Sequence, residues 1–184
     1  MKKLVICSMM CLATMATKAQ VMTSATINKV YEQSIVESGK KFAYNADRDE
    51  AGNITTMYVY KKKNMRRGDV SLEPVCRYEY DYAADGMLNS RITSVWNDGE
   101  WHLLGRYDFN LMADMYSVEY SRWNATSGDF DKAIEKMTYT LLPDDSVNHI
   151  SCYQRDDEGK PYQLAWEVEV TELPFYMNGF LTQR

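Results

Sequence analysis

Histidine is nearly missing from this chain: His102 and His149 are the only two in 184 residues. That scarcity closes most routes to imidazole catalysis and to His-rich metal centres. Both fall inside strand-like runs, where a surface or hydrogen-bonded histidine is the plainer reading than a base or ligand. Gly-x-Ser-x-Gly, His-Glu-x-x-His and Cys-x-x-Cys are all absent, so no signature nominates a nucleophile, a zinc site or a redox pair, and no motif implies a cofactor. Cysteine is almost as scarce. Two of the four, Cys7 and Cys11, lie near the start, which leaves Cys76 and Cys152 for the body of the chain. They fall at different phases of the repeat described below, so two thiols acting as small apolar residues fit better than a bridge. Proline is limited to 4 residues while tyrosine reaches 14, a balance that suits extended β-structure rather than a disordered tail.

Long apolar runs are lacking after the first. Met1-Lys2-Lys3 is a short basic head, Leu4 to Ala16 is apolar, and Thr17-Lys18-Ala19 places small residues where a signal peptidase reads them. The run is shorter than the roughly 20 residues a membrane span needs. A secretory signal over 1–19, cleaved before Gln20, and a single domain over 20–184 are therefore expected, with no membrane span in the mature chain. Neither Cys7 nor Cys11 is preceded by a good lipoprotein pattern. Location is thus expected to be the periplasm, the cell surface or the medium. Basic charge is lacking too: losing Lys2, Lys3 and Lys18 takes the formal charge from −5 to −8. With no basic stripe to neutralise phosphates, nucleic acid is excluded as a partner.

What the chain does have is a rhythm, clearest in Arg77–Trp101, RYEYDYAADGMLNSRITSVWNDGEW. Tyr78, Tyr80 and Tyr82 alternate, so they project from one face of a β-ribbon. Ala84-Asp85-Gly86 and Asn97-Asp98-Gly99 supply the turns, Asp-Gly between alternating apolar residues being the strongest short hairpin signal. Arg77-Tyr78-Glu79-Tyr80 returns as Arg106-Tyr107-Asp108-Phe109 after 29 residues and as Lys136-Met137-Thr138-Tyr139 after 30 more. Further copies begin at Lys41-Phe42-Ala43-Tyr44 and at Trp166-Glu167-Val168. Second halves recur at Thr55–Tyr60, Met87–Trp96, Tyr116–Trp123 and Val147–Tyr153. Alternation predicts that Trp101, Leu103, Gly105, Tyr107, Phe109 and Leu111 share one face, and likewise Tyr162, Leu164, Trp166, Val168 and Val170.

The expected fold is all-β: an antiparallel meander of about eight or nine strands, one hairpin per repeat of roughly thirty residues, left as an open curled sheet or closed into a barrel-like form. Ile27–Val36 fits either a helical face (Ile27, Val30, Tyr31, Ile35) or a strand; its β-branched content favours a short strand. The pattern in RYEYDYAADGMLNSRITSVWNDGEW and RYDFNL resembles the YD-type (Rhs-like) hairpin repeat of small exported proteins from gut-dwelling Gram-negative bacteria, which are families of unknown function. The third copy departs from it, with Asp114-Met115 where Asp-Gly would stand. The resemblance implies an exported β-repeat protein and carries no catalytic residues across.

Among local motifs, Asp47–Asn53 has two carboxylates at calcium-loop spacing but lacks the closing glutamate, and Asp156–Gly159 is shorter still, so turn chemistry accounts for both. Arg67-Gly68-Asp69 matches an integrin tripeptide and equally an ordinary loop. Asp145-Ser146-Val147 matches an O-glycan acceptor; Asn53-Ile54-Thr55 and Asn124-Ala125-Thr126 match N-glycan acceptors that matter only in a eukaryotic route. Aromatic side chains are the richest feature. Most alternate as core residues should, but Trp96 and Trp123 stand at strand ends beside turns and are the candidate ligand-binding residues. A non-enzymatic exported module that binds an extracellular glycan or protein is the leading expectation. A structural or assembly role through sheet edges, with homo-oligomers, is the alternative, and an enzyme with an unrecognised site the least favoured.

Overall fold

The structure, a computed structural model, describes residues 21–37, 41–64, 70–143 and 147–169. The expected leader, the Arg67-Gly68-Asp69 tripeptide and most of the Asp145-Ser146-Val147 acceptor lie outside the described residues.

Turn chemistry sets the framework. Asp98 (φ 50°) and Gly99 (φ 88°) take left-handed backbone and join β4 (Leu88–Asn97) to β5 (Glu100–Met112) in a two-residue hairpin. Gly86 (φ 83°) and the Asp85 side chain, which accepts the Met87 N–H at 3.0 Å, close the turn that follows β3 (Val70–Tyr82). Ala113 (φ 41°) does the same work without a glycine between β5 and β6 (Met115–Asn124). β1 (Phe42–Arg48) and β2 (Ile54–Asn64) precede these strands. The two-residue β7 (Asp129–Phe130), then β8 (Glu135–Leu141), β9 (Val147–Gln154) and β10 (Gln163–Glu169) follow. Among the described residues the sheet has ten strands in the order β1-β2-β3-β4-β5-β6-β8-β9-β10, with β7 paired to β6. Among the described residues every pairing is antiparallel, and β1 and β10 stand at opposite edges. Of the two forms the sequence left open, the sheet is therefore the open one, not a barrel.

The segment expected to be a short strand is a helix, α1 (Ser24–Glu37). Thr23 caps it: its hydroxyl accepts the Thr26 N–H at 3.2 Å, satisfying one of the N–H groups a helix start leaves unpaired. Ile27 (3% exposed) then packs into the core one turn before Tyr31, so the helical spacing outweighs β-branched propensity. α1 lies on β1 and β2, and the segment before it adds a bridge, Thr23 to Met87.

The face under α1 carries the core, including Met57, Tyr80, Leu88, Phe109, Tyr116 and Val118. Tyr78, Tyr80 and Tyr82 share that face, opposite Thr93, Arg91 and Leu88 respectively. Arg91 is 6% exposed there, its guanidinium 4.5 Å from the Tyr107 ring centre and 5.3 Å from that of Tyr78. Two bulges overturn the expected parity. Leu104 is the extra residue where Thr93 faces Gly105 but Ser94 faces Leu103, so Trp101 and Leu103 point away from the core that Gly105, Tyr107 and Phe109 face. Ala165 is the extra residue in β10, which turns Leu164 away from the side shared by Trp166 and Val168. A row of cross-strand neighbours, Phe109–Val118–Met137–Cys152–Trp166, leads from the core to the edge, where Trp166 is 43% exposed instead of buried. Cys76 on β3 and Cys152 on β9 have β4, β5, β6 and β8 between them, and no disulfide joins them.

Candidate functional site

On the face turned away from α1, the basic residue that heads the repeat recurs in one orientation at Arg77, Arg106 and Lys136. Arg77 stands opposite Tyr58 and Ser94, Arg106 opposite Ile92 and Ser121, Lys136 opposite Glu119. In the copies headed by Arg77 and Arg106 the acid two residues on closes an ion pair along the strand, Arg77–Glu79 at 2.9 Å and Arg106–Asp108 at 3.0 Å. In the copy headed by Lys136, Thr138 replaces the acid and Lys136 pairs across the sheet with Glu119 at 3.2 Å. The repeat thus writes a ladder of held cations on the open face.

Aromatic rings fill the spaces beside them. Trp96 meets Trp101 edge-on with centroids 5.0 Å apart, Trp101 reaches Tyr58 at 6.4 Å, and Tyr58 stacks on Tyr60 at 6.4 Å. Arg77 lies over Trp101 at 5.3 Å. One strand further on, Trp123 meets Phe130 at 5.0 Å, and Arg106 lies over Phe130 at 5.0 Å. β7 exists to make this second cluster: Phe130 pairs directly with Trp123. The rings are half-buried, each with part of its surface open to solvent. Ser94, opposite Arg77, is wholly buried, and neither its hydroxyl nor the Arg77 Nε has a hydrogen-bond partner among the described residues. Asp47 accepts the Tyr58 hydroxyl at 2.9 Å, and that bond to a carboxylate pushes the phenol's pKa up.

Of the two residues nominated from sequence, Trp96 and Trp123, both lie on this face, each in its own ring pair. Sequence reasoning missed Trp101, which it assigned to the core, and the two arginines that stack on the rings. The signal for the arginines was present in the basic residue that heads the repeat at Lys41, Arg77, Arg106 and Lys136.

Elsewhere, His102 is exposed, its Nε2 3.1 Å from the Asn97 carbonyl, and His149 is 3.4 Å from Glu167. A cleft of about 330 Å³ between β8, β9 and β10 gathers Glu135, Gln154, Arg155 and Asp156, but not His149. Asp49 accepts both the backbone and side-chain N–H of Asn53 at 2.8 and 2.9 Å, which accounts for that acidic turn as loop closure. No helix among the described residues is long and apolar enough to cross a membrane.

An open antiparallel meander with one capping helix and an aromatic, arginine-lined outer face defines the class. The chain belongs to the DUF3836 family, a family of unknown function whose model matches residues 1–141. β9 and β10 lie beyond that match. A crystal structure of a protein of unknown function (BF3112) from Bacteroides fragilis is similar at 23% identity and TM-score 0.60, over 73% of this chain and 96% of the other. Two DUF3836 family structures also match. The Parabacteroides distasonis protein does so at 21% identity and TM-score 0.47, over 55% of this chain and 92% of its own. For the Bacteroides vulgatus protein the values are 17% and 0.44, over 49% and 88%. No curated protein matches the chain. A family of unknown function is what the repeat's resemblance implied; nothing in these likenesses speaks for the YD-type repeat in particular.

Proposed function

We propose that this is an exported, non-enzymatic recognition protein whose open sheet face binds a glycan. The observation that carries the reading is the run of rings Tyr60–Tyr58–Trp101–Trp96 with Arg77 lying on it, repeated in smaller form at Trp123–Phe130–Arg106. A sugar ring has an apolar C–H face and a polar rim. Indole and phenol rings match the face, while Arg77–Glu79 and Arg106–Asp108 offer donors and acceptors to the rim. The leader-like residues 1–19 would take the chain to the periplasm, the cell surface or the medium, where such ligands are met.

The test is a glycan array and pull-down with the wild type beside Trp96→Ala/Trp123→Ala, with far-UV circular dichroism to establish folding. Glycan binding that the folded double variant loses supports the reading. Binding kept by that variant removes the two tryptophans from the site. Capture of a protein and no glycan overturns the ligand class.

A further inference from the structure

The two sheet edges are unequal toward a second copy. On β10 an antiparallel, two-fold pairing centred on Glu167 sets that carboxylate against its own copy. Centring it on Val168 sets Glu167 against Glu169 twice, and centring it on Trp166 runs into the Ala165 bulge. Like charges facing across a ladder and bulged edges both discourage pairing. β10 is an edge built against itself.

β1 is the reverse. It is regular from Phe42 to Asp47, with its only irregularity beyond Asp47. Centred on Tyr44, a two-fold antiparallel pairing brings Tyr44 against its copy and Phe42 against Ala46. It also sets Lys41 against Asp47, a pair the symmetry makes twice. Opposed residues in an antiparallel pair share a face, so the Lys41–Asp47 contacts fall on the open face and Phe42, Tyr44 and Ala46 on the helix face. Neither Lys41 nor Asp47 takes part in an ion pair among the described residues, and both are exposed. α1, which packs on β1 and β2, also leaves Ile35 (48%) and Val36 (84%) of its last turn exposed.

We propose that β1 is a self-association edge, where two copies of this chain join by antiparallel β1–β1 pairing about Tyr44 into one continuous sheet. The contact is isologous and closes on itself, so it stops at a dimer. The reciprocal Lys41–Asp47 pairs fix the register more than they add affinity.

Sedimentation of the purified chain across concentration, without any ligand, tests this independently of the recognition face. The wild type is expected to form a dimer whose β1 amides are protected from hydrogen exchange. Lys41→Asp and Asp47→Lys are each expected to be monomeric, because each sets like charges together. Mixing the two variants is expected to restore a dimer, as is combining both substitutions in one chain. A monomeric wild type, even one with protected β1 amides (an edge covered by its own chain), overturns the proposal. So does a dimer indifferent to both charge changes, an open-ended polymer, or a dimer lost on Trp166→Lys.

Discussion

The guanidinium of Arg77 lies over the Trp101 indole, 5.3 Å from its centre, while its Nη2 stays 2.9 Å from Glu79. The glutamate holds the planar cation where it covers part of the ring, so cation and ring form one surface. Such stacking contributes about 0.5–2 kcal/mol. A hydrogen bond from this cation to a sugar hydroxyl is worth about 0.5–1.5 kcal/mol, so Arg77→Ala is expected to weaken ligand binding by roughly 2- to 13-fold. Arg77→Lys should not restore it fully, because an ammonium cannot lie flat on the ring. Titration calorimetry with the ligand found on the array reads both values.

Gly105 is required by its neighbour across the sheet. A Cβ at that position would stand 2.5 Å from Tyr120 Cε2 and 2.8 Å from the Ser121 carbonyl oxygen. Gly105→Ala is expected to destabilise the protein by about 1–3 kcal/mol, the usual cost of overpacking, and to lower the urea midpoint accordingly. Pairing it with Tyr120→Ala should recover part of that loss.

Ala113 has φ 41° in the turn between β5 and β6. A left-handed alanine costs on the order of 1 kcal/mol that glycine does not incur. Ala113→Gly is expected to raise stability, less the added entropy of the unfolded chain, with a net gain of up to about 1 kcal/mol in urea denaturation.

Burial pushes the phenol of Tyr139 up to about 12 and raises those of Tyr116 and Tyr82 further. These groups hold their protons in the folded state at pH values where the unfolded chain, with ordinary tyrosines near 10, has released them. Above that value the folded state binds more protons, so stability falls as pH rises. The contribution of Tyr139 is full below pH 10 and lost by about pH 12. Unfolding in alkaline titration should coincide with a cooperative rise in tyrosinate absorbance, and Tyr139→Phe should reduce the slope.

Much of the sheet was legible because turns and alternation are local. Asp98-Gly99 and Asp85-Gly86 turn where their chemistry says, and Tyr78, Tyr80 and Tyr82 share a face as period two requires. The bulges at Leu104 and Ala165 were not legible, because an extra residue shows itself only against the partner strand. One of them moved Trp101 from the expected core to the open face, beside the nominated Trp96. Helix α1 was hidden by its β-branched residues, although Thr23 and the Ile27–Tyr31 spacing carried the signal. Trp166 reads as core by alternation yet stands at an edge beyond the helix, because strand order decides cover.

The most direct test of the recognition face compares two tryptophan changes on opposite sides of the sheet. Affinity for the array-selected glycan is measured for the wild type, for Trp101→Ala/Trp123→Ala on the open face, and for Trp166→Ala on the helix face. The account predicts a loss of at least about tenfold, equal to 1.4 kcal/mol, in the first variant and unchanged affinity in the second. Full affinity without Trp101 and Trp123, or a loss on removing Trp166, would contradict it.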